Sequence, residues 1–405
     1  MISLVKGFHD ILPDESAKWA FVSESARACF RKYGFREIIT PIMEKTELFV
    51  RGIGQVTDIV EKEMYTFEDI GGESLSLRPE ATAGILRSVV EHSLLKKESL
   101  LKLFTIGPMF RRERPSKGRY RQFFQINAEV LGDDDPLTDA EIVSCACSIL
   151  ESIGAKNLVV EINSVGCRSC RSAYRSELTN FLERHLENLC EDCRRRMNTN
   201  PLRALDCKVP ECTLIMGSAP VIMDYLDEPC RNHFDSVLRG LDLLGVSYRK
   251  EPRMVRGLDY YSRTAFEIID SDLGHSKAVG GGGRYDSLVA ELGGPEVSGI
   301  GFAIGMERLL LGLDSSQDLF GRKTDVYVAA LGEACRETCY RLVDDLRKAG
   351  FSVQTRNSMS SRKSHMTQAD RGGAQKALMI GSDEWSNNTV TVRDMFSKQQ
   401  FNVKM

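Results

Sequence analysis

Two extended runs bracketing a basic, proline-containing loop between residues 98 and 132 constrain this chain more than any other stretch. ESLLKLFTIGPMFR (98–111) reads as a strand that delivers Arg111 to its end. RQFFQINAEVLG (121–132) reads as a returning strand, because alternate residues differ in character. The intervening RERPSKGRYR holds Pro115 and Gly118 and reads as a loop. Together the two runs form a long antiparallel hairpin. On the returning strand, Arg121, Phe123, Gln125, Asn127 and Glu129 share one face, while Phe124, Ile126, Ala128 and Val130 occupy the other. The first face is too polar for a core. It suits either solvent or a ligand: arginines for phosphate oxygens, an aromatic plate for stacking, a carboxylate for a cationic amine.

The rest of the chain supplies further candidates. Residues 15–32 read as an amphipathic helix, followed by GFREIITPIMEK, whose Pro41 places that segment at a strand edge or an interface. In LRPEAT (77–82), Glu80 and Thr82 follow Pro79 and precede a helix, which they either cap or open towards an ammonium group. RGLDYY (256–261) gathers an arginine, an acid and two tyrosines. The run Gly280–Gly283, followed by Arg284, Tyr285 and Asp286, either turns flexibly or lets backbone approach a ligand closely; it lacks the spacing of a dinucleotide fingerprint. In GIGFAIGMERLLLGL a strand runs into a helix whose first turn carries Arg308, at an anion-attracting terminus or as an ordinary surface arginine.

From about Lys323, strand and helix patterns alternate, which predicts a small α/β domain with a mostly parallel sheet. Residues 323–405 carry a net charge of +4 within a chain of −3, a weak pointer to a polyanionic partner. That overall charge excludes nucleic-acid binding by bulk charge alone. With 42% hydrophobic and 27% charged residues, no membrane-length apolar run and no signal-peptide pattern at the N-terminus, the expectation is a cytoplasmic globular protein.

Seven of the twelve cysteines fall between Cys167 and Cys230, in a region whose charged helical pattern (about 168–225) reads as an insertion. Cytosolic thiols stay reduced, which disfavours disulfides. Cys167 with Cys170 and Cys190 with Cys193 have the spacing of structural zinc ligands, as do Cys207 and Cys212; packed free thiols are the alternative.

Taken in order, these segments resemble a class II aminoacyl-tRNA synthetase, specifically a bacterial-type histidyl-tRNA synthetase, over nearly the whole chain. GFREIITPIMEK, FRRERPSKGRYRQFFQINAEVLG and GIGFAIGMERLLL are similar to the three class motifs, and RGLDYYSRTAFE and GGGGRYD to the two histidine-specific signatures. The resemblance implies an α+β catalytic domain on an antiparallel sheet (1–322) with the cysteine-rich insertion, and an anticodon-binding α/β domain (323–405). It implies ATP-dependent activation of L-histidine, with Mg²⁺ on the phosphates, then transfer to the 3′ end of tRNA(His) by a homodimer joined through the first motif. It assigns Arg256 and Arg111 to catalysis at the α-phosphate. Histidine would be held by Glu80, Ala81, Thr82, Arg111, Gln125, Glu129, Arg256, Tyr260, Tyr261 and Tyr285. ATP would be held by Arg111, Glu113, Arg119, Phe123 and Arg308. The C-terminus, TVTVRDMFSKQQFNVKM, is shorter than the resemblance leads one to expect. Two other readings compete: a non-catalytic regulatory paralogue of ATP phosphoribosyltransferase that binds histidine, disfavoured by Arg256 and the C-terminal domain, and a zinc-dependent RNA-binding module, which leaves the class motifs unexplained.

Overall fold

The computed structural model describes residues 2–405 apart from 55, 56, 58, 256–259, 272–277, 314–323 and 359. It divides into two compact units, Met1–Asp314 and Ser315–Met405. The first contains strands β1 (Arg36–Glu37), β2 (Met43–Lys45), β3 (Tyr65–Glu68), β4 (Ser74–Leu77), β5 (Leu101–Phe110), β6 (Gln122–Leu131), β7 (Leu158–Ser164), β8 (Tyr248–Lys250), β9 (Ser262–Asp270), β10 (Ala278–Arg284) and β11 (Gly299–Gly305). Eight of them form one sheet in the order β1-β5-β6-β11-β10-β9-β7-β8. Its outermost pairs are parallel, and every pair between them is antiparallel. β2, β4 and β3 make a separate small sheet.

The β5–β6 hairpin pairs along its whole length, from Leu101 opposite Leu131 to Phe110 opposite Gln122. Period-2 alternation then decides which side is buried. Ile126, Ala128 and Val130 enter the main core, with Phe124 packed at its border, against residues of the helices Pro13–Lys32 and Pro136–Ser152. Each fully buried aliphatic side chain there contributes about 1.5–3 kcal/mol relative to exposure. The odd-numbered residues are thereby left on the opposite face of the sheet.

The glycine run is part of β10, in the middle of the sheet, and not a turn. Close strand approach explains the residue type. A Cβ on Gly282 would stand 1.9 Å from the Gly301 carbonyl oxygen on β11. At the end of β10, Arg284 is fully buried and reaches across to the helix Pro136–Ser152. Its Nε donates to Asp139 Oδ1 at 3.0 Å and its Nη1 to the Asp133 carbonyl at 3.1 Å.

The region between Arg168 and Tyr225 holds the helices Arg168–Arg184, Glu191–Thr199 and Pro210–Met216 with short 3-10 turns, and no strand among the described residues. It has a small core of its own, in which Tyr174, Leu178, Leu182 and Met216 pack beside the thiols.

The second unit contains β12 (Thr324–Ala330), β13 (Val353–Thr355), β14 (Ala374–Ile380), β15 (Thr389–Asp394) and β16 (Gln400–Lys404), in the order β13-β12-β14-β15-β16. The expected mostly parallel sheet is mixed. β12 is parallel to β13 and β14, but β14–β15 and β15–β16 are antiparallel. The reason is connection length. The helices Arg336–Lys348 and Arg362–Arg371 provide room for crossovers, whereas the segments after β14 and β15 are too short for one. The last turn is pinned by Asp394 Oδ1, which accepts from the Ser397 amide at 2.8 Å. Among the described residues, no helix is long and apolar enough to cross a membrane.

Candidate active site

The polar face of β6 borders a cavity of about 570 Å³, whose lining gathers residues from distant parts of the chain. β6 contributes Phe123, Gln125, Asn127 and Glu129, the helix Thr82–Glu91 and its preceding turn contribute Glu80 and Thr82, and the hairpin loop contributes Arg111, Glu113 and Arg119. Tyr260, Tyr261 and Tyr285 complete one side; Arg308, in the helix Met306–Gly312, lies on another. All expected site residues line this cavity except two. Ala81 points into the apolar core beside Ile85 and Tyr285, and Arg256 lies outside the described residues.

Glu129 is the centre of the carboxylate-and-tyrosine group. It is fully buried, accepts from Thr82 Oγ1 at 2.6 Å, and also accepts from the Tyr285 hydroxyl. Burial pushes its carboxyl up to about 8, against the two hydrogen bonds, which favour the charged form. The same burial holds Tyr260 and Tyr285 well above the usual phenol value. The rings of Tyr260 and Tyr285 meet edge-on at 5.7 Å, and those of Tyr260 and Tyr261 lie 4.8 Å apart. Gly301, opposite Glu129 on β11, makes room for the carboxylate: a Cβ there would lie 1.8 Å from Glu129 Oε2.

Glu80 resolves one of the alternatives left by the sequence. Its carboxylate accepts from the Thr82 and Ala83 amides at 2.7 and 2.9 Å, so it caps the helix Thr82–Glu91 while still bordering the cavity. Burial raises its carboxyl as well. Gln125 Oε1 and Asn127 Nδ2, on the same cavity wall, are buried without a hydrogen-bond partner among the described residues. Buried polar atoms of this kind cost roughly 1–3 kcal/mol each when unpaired, so their presence on a cavity wall favours a polar ligand.

At the arginine-rich end, Arg111 donates through Nε to the Pro79 carbonyl at 2.9 Å, and its guanidinium stands 5.3 Å from the centroid of the Phe123 ring. That contact holds Arg111 over the aromatic plate. Arg119 forms a partly exposed ion pair with Glu113 at 3.4 Å. Arg308 donates to the Ala278 carbonyl, and burial together with the neighbouring Arg119 lowers its pKa. The cavity therefore joins an acidic, tyrosine-rich end to a cationic one.

Several lining residues gave no usable signal in the sequence. Glu267 on β9 and Glu307 beside Arg308 add two carboxylates. Glu307 accepts from the Phe124 amide at 2.8 Å, and burial pushes it up to about 7. Arg203, Asp206 and Lys208 come from the insertion, far away in sequence, and a π-helical turn, Ile59–Glu63, contributes Ile59 and Glu63. Gly301 and Glu307 fall within GIGFAIGMERLL, and Glu267 closes RGLDYYSRTAFE, both segments already singled out.

The cysteines do not assemble as one site from Cys167, Cys170, Cys190 and Cys193. They form two groups: Cys190, Cys193, Cys207 and Cys212 in one, and Cys167, Cys170, Cys230 and the carboxylate of Asp227 in the other. The pairing followed the sequence motifs; the helices bring each motif to a different partner.

The arrangement suits a substrate with a cationic amine at one end and an anionic, base-carrying group at the other. The family model for histidyl-tRNA synthetase matches residues 7–192 and 216–309, and that for an anticodon binding domain matches residues 325–405. Histidine–tRNA ligases of Halothermothrix orenii and Trichlorobacter lovleyi are 46% and 49% identical over 99% and 98% of this chain, and 96% and 95% of their own lengths. The apo histidyl-tRNA synthetase of S. aureus superposes with a TM-score of 0.84 at 35% identity, covering 100% of this chain and 97% of that one. With the antiparallel sheet, the hairpin and the second unit agreeing with these matches, the chain belongs to the histidyl-tRNA synthetase family.

Proposed function

We propose that the chain works as a histidine–tRNA ligase, activating L-histidine with ATP and passing it to the 3′ end of tRNA(His), with the cavity over β6 as its activation site. The observation that carries the assignment is the buried Glu129–Thr82–Tyr285 group facing the cationic end of the same cavity. Glu129, with Thr82 and Glu80, receives the α-ammonium group of histidine, and Gln125 satisfies its orphaned oxygen on the same substrate. Tyr260, Tyr261 and Tyr285 surround the imidazole. A site built of buried polar groups matched to that ring rejects analogues lacking its hydrogen bonds, so editing is unnecessary.

ATP occupies the other end. Phe123 provides a stacking plate for adenine, and Glu113 meets its amino group. Arg119 and Arg308 hold the outer phosphates or the purine face. Arg111 binds the α-phosphate, and Arg256, assigned from the segment RGLDYY, is the second cation there. As the histidine carboxylate attacks phosphorus, charge builds on the non-bridging oxygens, and fixed guanidinium groups stabilise it. Each such group contributes roughly 10²-fold or more in rate. No side-chain nucleophile is needed: the products are histidyl-adenylate and pyrophosphate. Magnesium, when bound with ATP, would offset phosphate charge, and Glu267 and Glu307 are among the cavity carboxylates that would offer oxygen to such a hard cation.

Residues 1–322 form the catalytic part, interrupted by the insertion at about 168–225, and 323–405 read the anticodon through splayed bases. A homodimer forms across the first motif, where Ile39 is 86% exposed and Ile42 and Met43 are also exposed beside the sheet edge at β1. The cytoplasm, where tRNA is charged, is the place of action. Charging of tRNA(His) transcripts with labelled histidine tests the whole reading. ATP-dependent charging supports it; tight histidine binding without charging moves the chain to the regulatory reading.

A further inference from the structure

We propose that the helical insertion holds two mononuclear zinc ions, one bound by Cys190, Cys193, Cys207 and Cys212, the other by Cys167, Cys170, Asp227 and Cys230, and that they fix the insertion against the active-site cavity. In each group one ligand atom from every residue lies within 4.8 Å of all the others. The sulfurs of Cys190 and Cys207 are 3.7 Å apart, and those of Cys167 and Cys170 are 3.5 Å apart. A tetrahedral zinc ion with Zn–S bonds of about 2.3 Å places its sulfurs roughly 3.8 Å apart. An iron–sulfur cluster holds its cysteines around a polyatomic core and needs more space.

The surroundings are arranged for thiolates. The Cys190 amide donates to Cys212 Sγ and the Asp227 amide to Cys170 Sγ, both at 3.2 Å. Asp227 divides its carboxylate: Oδ1 caps the helix Glu228–Leu243 by accepting from the Cys230 amide at 2.9 Å, and Oδ2 lies 3.2 Å from Cys167 Sγ. Such hydrogen bonds to ligand atoms orient them and stabilise their charged form. There is also a need for the metal. The insertion is built of short helices around a small core in which the thiols themselves occupy much of the space, and small units of this kind need a staple. The match to the family model passes over 193–215, the stretch that supplies Cys193, Cys207 and Cys212.

Both sites adjoin the cavity. Cys207 stands between Asp206 and Lys208, which line it. Next to Cys167, Val165 and Gly166 exchange backbone hydrogen bonds with Arg263, at 2.7 and 3.0 Å, and Arg171 donates to the Tyr261 carbonyl at 2.9 Å. The second ion therefore braces the turn carrying Tyr260 and Tyr261. This coupling rests on the reading of that turn as the one that meets histidine; the metal count does not.

The test is elemental analysis of the full chain purified under reducing conditions without added metal, which should find two zinc ions per chain. A Cys207→Ser/Cys212→Ser variant and a Cys167→Ser/Cys230→Ser variant should each keep one. Should a variant fail to fold, titration of the wild-type chain with a mercurial, read by a zinc-binding dye, should release two equivalents. Absence of stoichiometric zinc, iron in its place, or disulfides within the groups would overturn the proposal. For the coupling, the Cys167→Ser/Cys230→Ser variant should raise the histidine KM roughly tenfold with the ATP KM unchanged. An equal rise in both, or no rise in either, contradicts the coupling and leaves the metal count as the test of the sites.

Discussion

Replacing Glu129 by Gln removes a charge without removing volume, and its effect follows from the burial of that side chain. At neutral pH the carboxyl, pushed up to about 8, is largely protonated before histidine arrives. Binding an ammonium group to it therefore costs about 1.4 kcal/mol at pH 7, the free energy of one pKa unit. Loss of one partner from a buried, hydrogen-bonded charge pair costs about 2–5 kcal/mol. The difference, about 0.6–3.6 kcal/mol, corresponds to a rise in the histidine Kd of roughly 3- to 400-fold. Calorimetric titration with histidine, together with histidine-dependent ATP–pyrophosphate exchange, measures it, and the KM for ATP should not move. The ratio of variant to wild-type Kd cancels the titration of histidine itself. It should climb as pH rises through about 8, where the wild-type carboxylate is half ionised, and level off above that. A histidine Kd within twofold of wild type, or a ratio independent of pH, would refute the argument.

Three further outcomes are expected. Gly301→Ala sets a Cβ 1.8 Å from Glu129 Oε2 and 2.6 Å from the Ala128 carbonyl, so β6 and β11 must part, and histidine-dependent exchange should be lost with a clear fall in Tm. Arg284→Met leaves the buried Asp139 with His233 Nε2, 3.7 Å away, in place of its guanidinium, which should cost about 3–5 kcal/mol in urea unfolding, and adding Asp139→Leu should recover part of it; a loss below about 1 kcal/mol contradicts the anchor. Because Glu129 and Glu307 have raised folded-state pKa values of about 8 and about 7, the folded chain binds more protons than the unfolded one between the ordinary carboxylate range and those values. Stability without histidine should therefore fall as pH rises through that window, less so in the Glu129→Gln variant; thermal melts across it would show the opposite slope if the burial argument is wrong.

The hairpin and its two faces were legible in the sequence because a period of two leaves no choice once one side is apolar: Ile126 and Val130 in the core force Gln125 and Glu129 out of it. The glycine run was ambiguous, since nothing local says that Gly282 faces the Gly301 carbonyl; strand pairing decides that. The mixed sheet of the second unit was misread because the pattern of strand and helix shows alternation, whereas direction depends on whether a connection is long enough to cross over. Motif spacing paired Cys167 with Cys170 and Cys190 with Cys193, but only the packing of the insertion brings Cys207, Cys212, Asp227 and Cys230 to them. The same holds for Asp206 and Lys208, which reach the cavity from a segment with no active-site pattern of its own.

The central claim is that this cavity activates histidine with ATP. Amino-acid-dependent ATP–pyrophosphate exchange, run with each of the standard amino acids in turn, tests it most directly. The account predicts exchange with histidine alone, abolished by Arg256→Ala. Exchange driven by a different amino acid, or histidine binding with no exchange at all, would contradict it.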